Sequence, residues 1–388
     1  MSALLLVAMI SLSGTLPALL VFTTVARLRL AGSWRGRAKA VARLRPVVAG
    51  IVAAEDGSGA EQLRALSARL HRAERRALTE VVLSFLAKIR GPARQPLLDQ
   101  LMHDGTVPRA YQDVHSRSWV RRAHGADILG RAGPPAAAEE LAALLNDPTA
   151  EVRNIAAAGL PIVLDGERVD RWVVDALLRT ATGARQLPAG LVVEVLHRLG
   201  SPVTPQLLVA LSSGSDEVRE IAAQTLGLLG ATAGAEAAAG LAEVVHEPGG
   251  TTAVRARAAS ALGRLGLPAA VDPLLGALEE EQPPQVRRAA ATALAELGSP
   301  TAIAPLTRLL DSGYSLASTA ASSLARLGPR GLAALAEVAR DHPGSTAGRY
   351  AQAELARHGV RGQRPARTPA AEPELTGTQL TGTRYWSR

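Results

Sequence analysis

A 13-residue pattern that closes on Leu-Gly recurs through the second half of this chain, and it constrains the fold more than any other feature. It reads VREIAAQTLGLLG from Val218 to Gly230, VRARAASALGRLG from Val254 to Gly266, VRRAAATALAELG from Val286 to Gly298 and LASTAASSLARLG from Leu316 to Gly328. Looser copies run from Val120 to Gly133, Val152 to Leu164 and Pro188 to Gly200, and successive starts lie 32, 36, 30, 36, 32 and 30 residues apart. A spacing of that size, sustained over seven copies, is the signature of a solenoid.

The pattern is helical. Apolar residues at the first, fifth, ninth and twelfth positions, such as Val286, Ala290, Leu294 and Leu297, fall on one helix face. The eighth position is small (Thr225, Ala261, Ala293, Ser323), which lets neighbouring helices approach closely, and the closing glycine suits a left-handed cap. A second, leucine-rich helix follows, as in Pro134 to Leu145, Pro202 to Leu211, Pro268 to Leu278, Pro300 to Leu310 and Leu332 to Ala339, where proline in the first turn costs no hydrogen bond. One helix pair cannot bury its stripe, whereas stacked pairs bury it continuously. Roughly eight or nine such pairs fill residues 59–358, with the stretch from Ala60 to Val114 helical in period but lacking the consensus. The fold class expected is all-α: an α-solenoid of stacked antiparallel helix pairs, preceded by one transmembrane helix.

These residues resemble HEAT-like repeats, in the short bacterial form also found in phycobilisome lyases. The resemblance rests on the Val-Arg opening, the alanine-rich helix, the Leu-Gly ending and an upstream aspartate, as in Asp147 with Arg153 and Asp216 with Arg219. It implies that Arg121, Arg153, Arg219, Arg255 and Arg287 pair with preceding aspartates as a stacked structural ladder. It also implies that the Val-Arg helices line the concave side, so that Glu220, Gln224, Arg264, Arg288, Thr292, Glu296 and Arg326 form a candidate protein-binding face. Their mixture of acid, amide and base suits a protein partner better than phosphate.

The charge is unevenly placed. Arg27, Arg29, Arg35, Arg37, Lys39, Arg43 and Arg45 occur with no acid between residues 27 and 54, while residues 57–358 are balanced. Ahead of this basic run, Met1 to Ala26 carries no charged side chain and is long enough to cross a hydrocarbon core of roughly 30 Å. Positive charge that follows the apolar segment places the N-terminus outside and the remainder in the cytoplasm, with the basic run at anionic lipid headgroups. A cleaved signal peptide, with a cleavage site at Thr24 to Ala26, and nucleic-acid binding by the basic run, which holds only Trp34 for stacking, are the competing readings.

The expected divisions are therefore a transmembrane helix at 1–26, a basic juxtamembrane segment at 27–58, the solenoid at 59–358 and a disordered tail at 359–388. The tail is rich in Pro, Thr, Gly and Arg, repeats LTGT and ends near Tyr385 and Trp386. Only Lys39 and Lys88 among 43 basic residues are lysine, a skew that suggests a GC-rich bacterial genome.

Chemistry is sparse. Without cysteine the chain has no disulfide and no thiolate metal site. The eight histidines are scattered, and His246-Glu247 is the one His-Glu pair, where the HEAT-like deoxyhypusine hydroxylase needs several to hold iron. Phosphate loops and nucleophile elbows are missing from the sequence. The expectation is a binding scaffold and no enzyme, with no cofactor and a protein partner such as a membrane-bound enzyme complex. A lyase-like, cofactor-handling accessory role is the alternative.

Overall fold

The computed structural model describes residues 36–53, 58–89, 91–164, 169–183, 185–279 and 281–359. The apolar segment Met1 to Ala26, the basic residues Arg27, Arg29 and Arg35, and the tail beyond Gly359 lie outside these. The described residues are helical and contain no strand.

The first helix, α1, spans 36–53. It is followed by α2 (Gly59–Arg69), α3 (Arg72–Leu86), α4 (Gln95–His103), α5 (Thr106–Asp113) and α6 (Trp119–Ala132). Next come α7 (Ala137–Leu144), α8 (Ala150–Val163), α9 (Arg171–Arg179), α10 (Ala189–Leu199), α11 (Thr204–Ser213), α12 (Asp216–Leu229) and α13 (Gly234–His246). The array closes with α14 (Thr252–Leu265), α15 (Val271–Gly276), α16 (Pro284–Leu297), α17 (Ile303–Arg308), α18 (Tyr314–Arg326), α19 (Pro329–Asp341) and α20 (Thr346–Arg357).

From α5 onward the even-numbered helices stack on one another in one layer and the odd-numbered helices form the second. The seven sequence copies are α6, α8, α10, α12, α14, α16 and α18, each within two residues of the span read from the pattern. Their stripe residues Val286, Ala290 and Leu294 are fully buried, and one continuous core runs from Leu44 to Leu355. The closing glycines Gly133, Gly266 and Gly298 have φ of 63°, 71° and 67°, the left-handed cap that stops a helix with no Cβ clash. At three of the proline-opened second helices the first turn is a short 3₁₀ segment, Ser201–Val203, Pro268–Ala270 and Pro300–Ala302.

Contacts within the even layer are far more extensive than those within the odd layer, and small residues are the reason. A Cβ placed on Gly227 of α12 would stand 2.9 Å from the Cα of Ala261, and one on Gly130 of α6 would stand 2.8 Å from the Cα of Gly159. Gly263 approaches Ala293 in the same way. The tenth position of one copy thus meets the eighth of the next, backbone to backbone. The even-numbered helices are thus the closely spaced layer, called the inner layer below, and the odd-numbered helices the wider-spaced, outer one.

One expectation needs correction. The solenoid does not begin at residue 59: Leu44 and Val48 of α1 are buried in the core, so much of the segment assigned as a free basic neck over 27–58 is the first helix of the array. Arg37 and Arg43 are tied to Glu80 and Glu74 of α3. The chain from Asp216 to His246 has the length of a membrane span and contains an 18-residue stretch of mean hydropathy 1.3, yet it turns at Gly230 (φ 59°, ψ −144°) and forms two packed helices.

The small-residue seam predicts opposite outcomes for two glycines. Gly130→Leu forces a side chain against α8 and lowers stability by about 1–3 kcal/mol. Gly190→Ala, in open space on α10, raises it by about 0.4–1 kcal/mol. Urea-unfolding midpoints of the two variants measure both.

Candidate functional site: the inner helix layer and its arginine ladder

In five of the seven copies the second residue is an arginine, with Ala189 and Ala317 in its place in the other two, and its planar guanidinium, with five donors, is well suited to the unpaired carbonyls at the end of the preceding segment. Arg219 Nε donates to Leu211 O at 2.9 Å, Arg255 Nε to Val245 O at 2.9 Å, and Arg287 Nε to Leu278 O at 3.1 Å. Arg153 Nη1 donates to the carbonyls of Asp147 and Pro148 at 2.8 and 3.1 Å. The remaining donors of Arg219 and Arg255 reach forward, to Glu247 and to the side-chain oxygen of Gln282. Each of these two arginines therefore clasps its own repeat and the next.

This differs from the ladder expected from the sequence in two ways. The acceptors are carbonyls behind and side chains of the following repeat ahead, so Arg153 and Arg219 do not reach the carboxylates of Asp147 and Asp216. Arg121 is exposed, and the ladder position in α6 is Arg122. Counting back 13 residues from Gly133 starts that copy at Arg121, so the Val120 start was one residue early and Arg122 is the second position. Arg122 makes a bidentate pair with Asp147, Nε to Oδ2 at 2.6 Å and Nη2 to Oδ1 at 2.9 Å, and donates from Nη1 to Ser116 O at 3.0 Å.

Asp147 is buried at 6% exposure. Burial alone pushes its carboxyl up, but the Arg122 guanidinium and the Thr149 backbone N–H, at 2.8 Å, outweigh it and hold the group below the ordinary 3.8. A pKa held below its unfolded value contributes stability that is present above about pH 4 and is lost as pH falls through the folded value.

The exposed edge of the same helices carries the candidate binding residues. Glu220 faces Arg257 at 3.7 Å, Glu296 faces Arg326 at 3.7 Å, and Arg288 Nη1 donates to Ser315 Oγ at 2.9 Å, each contact crossing between adjacent even-numbered helices. Gln224 and Thr292 are half-buried between them, the Thr292 hydroxyl donating to Arg288 O, and Arg264 is exposed. The seven residues thus share one face of α12, α14, α16 and α18, with four of them engaged in cross-helix contacts. Such half-exposed pairs are worth about 0–1 kcal/mol each and exchange readily for contacts to a partner. Sequence reasoning missed Arg257, Ser315, Glu247 and Gln282, because each lies far along the chain from the residue it meets: 27 or 28 residues for Ser315, Glu247 and Gln282, and more than a repeat for Arg257 with Glu220.

Among the described residues no group of three or more His, Asp or Glu side chains is placed to hold a metal ion. His246 Nε2 lies 2.9 Å from Pro273 O and His115 lies 3.2 Å from Glu140, so neither pairs with another histidine.

Residues 248–325 and 277–356 match the family model for HEAT repeats, so the C-terminal part of the solenoid, from α14 to α20, carries HEAT repeats. Among solved structures, the chain is similar to a mutant of Kap121p at 12% identity, covering 81% of this chain and 41% of that one with a TM-score of 0.45. The karyopherin Kap121p bound to the SUMO protease Ulp1p gives 12% identity, 80% and 41% coverage and a TM-score of 0.45. Human deoxyhypusine hydroxylase gives 21% identity, 69% and 96% coverage and a TM-score of 0.29. The chain spans about two-fifths of the length of the karyopherin. No curated protein matches the sequence.

The ladder register gives a direct test. Arg122→Ala leaves the Asp147 carboxylate buried without its partner and lowers stability by on the order of 3 kcal/mol. Arg121→Ala, one residue away and exposed, changes it by less than about 0.5 kcal/mol. Thermal melts between pH 3 and 7 check both, and the acid loss of stability assigned to Asp147 flattens only in Arg122→Ala.

Proposed function

We propose that this chain is a membrane-anchored HEAT-repeat scaffold, of the short bacterial repeat type, that binds a protein partner at the cytoplasmic face of a bacterial plasma membrane and is not an enzyme. The observation that carries the reading is the junction of an uncharged 26-residue leader with seven basic residues and no acid, followed directly by a solenoid with a polar inner face. Met1 to Ala26 spans the bilayer with the N-terminus outside, and the lysine-poor composition supports the bacterial assignment.

The helix at 36–53 sharpens this arrangement. Nine residues, 27–35, separate the leader from α1, a reach of at most about 30 Å. The solenoid is thus held close to the headgroups. Arg37 and Arg43 are engaged with Glu80 and Glu74, which leaves Arg45, with Arg27, Arg29 and Arg35, for anionic lipid. The inner face, with Glu220, Gln224, Arg264, Arg288, Thr292, Glu296 and Arg326, offers a partner such as a membrane-bound enzyme complex small residues to approach and polar groups to pair with.

Membrane fractionation with partner recovery tests the proposal. The full chain stays in the membrane pellet after alkaline wash, and paired reversals Arg288→Glu and Glu296→Arg cut co-purification of its partner by tenfold or more. Release into the soluble fraction removes the anchor from the account, and unchanged recovery removes the assigned face.

A further inference from the structure

At the N-terminal end of the array, α1, α3, α5 and α6 enclose a groove of about 1200 Å³ that the ladder and the seven face residues do not use. Ten charged side chains line it, and six of them cancel in ion pairs: Arg37 with Glu80, Arg43 with Glu74, and Arg131 with Asp127. The other four are Lys39, Arg76, Arg109 and Asp113. Three unpaired cations on three different helices therefore face one unpaired acid. Beneath them, Leu83 and Ile128 supply a buried apolar floor.

We propose that this groove takes an acidic segment of a protein partner, its carboxylates on Lys39, Arg76 and Arg109 and an apolar side chain on Leu83 and Ile128. An apolar centre within a charged rim is how protein interfaces are built. The groove exceeds the usual 300–1,000 Å³ of a small-molecule site, and its cations do not converge on one point. No Phe, Tyr or Trp lines it, and the single imidazole of His124 gives successive bases no continuous platform. A flat bilayer does not enter a cleft. Charge complementarity thus selects an acidic peptide, and the inference rests on the protein-binding reading above while naming the chemistry of the partner.

The test uses the full-length chain in neutral detergent and a labelled Glu-Leu-Glu-Glu-Leu-Glu peptide, with Gln-Leu-Gln-Gln-Leu-Gln as the uncharged control, read by fluorescence anisotropy. The acidic peptide binds and the control does not. The triple variant Lys39→Glu, Arg76→Glu, Arg109→Glu weakens binding by tenfold or more, and the milder Lys39→Gln, Arg76→Gln, Arg109→Gln by less. The matched triple Arg64→Glu, Arg330→Glu, Arg340→Glu, at exposed sites off the groove, changes it less than twofold. Equal loss in the two Glu triples means attraction to bulk charge and overturns the proposal, as does equal binding of the control peptide. Phosphatidylserine vesicles that lose affinity with the groove triple, while the peptide does not, assign the cations to lipid and overturn it too. Failure here with partner recovery still sensitive to Arg288→Glu and Glu296→Arg leaves the scaffold reading standing; the reverse result removes that face alone.

Discussion

Everything in this molecule depends on how closely the backbones of the inner helices approach. Glycine at the tenth position of one copy and alanine or glycine at the eighth position of the next bring α6 to α8, α12 to α14 and α14 to α16 into direct contact. Dispersion between atoms at contact distance is individually tiny, but summed along a helix it holds the stack, and a single added side chain forces the layers apart. The outer helices, longer in side chain and looser in contact, form the wider-spaced layer. The continuous core and the close stacking of the inner layer both follow from that one asymmetry.

The arginine ladder is a second device serving the same end. Stacking leaves helix carbonyls stranded at each turn between repeats, where water is partly excluded. A guanidinium on the second residue of the inner helix satisfies those carbonyls, and in α6, α12 and α14 it also reaches a side chain of the next repeat. Because the pairing runs forward, it couples neighbours and complements the apolar seam in a nearest-neighbour architecture.

The period, the two-helix unit and most of the boundaries were legible in the sequence because they are local: a four-four-three spacing of apolar residues and a terminal glycine leave few alternatives. The ladder was half legible. An arginine at position two stands out in most of the copies, yet its partners sit a repeat away and include carbonyls, which carry no sequence signal. The one-residue slip at Val120 arose from trusting the Val-Arg dipeptide over the distance to Gly133. Helix α1 was read as a lipid-facing neck because its arginines dominate the composition there. What the count of charges concealed was Leu44 and Val48 on the opposite face, and two acids on α3 that neutralise Arg37 and Arg43. The site residues were found as a face, but not the cross-helix contacts that bind them to one another.

The absence of cysteine makes the central claim directly measurable. With Gly227→Cys and Ala261→Cys as the two thiols in the chain, the added Cβ stands 3.0 Å from that of residue 261, just inside the Cβ separation of a disulfide, about 3.5–4.5 Å, so a parting of the helices by a few tenths of an ångström lets mild oxidation close the bond within the monomer. Moving one thiol to the exposed neighbour, Leu228→Cys with Ala261→Cys, abolishes the bond. Failure of the first pair to close, or equal closure of both, would contradict close stacking of the inner helices.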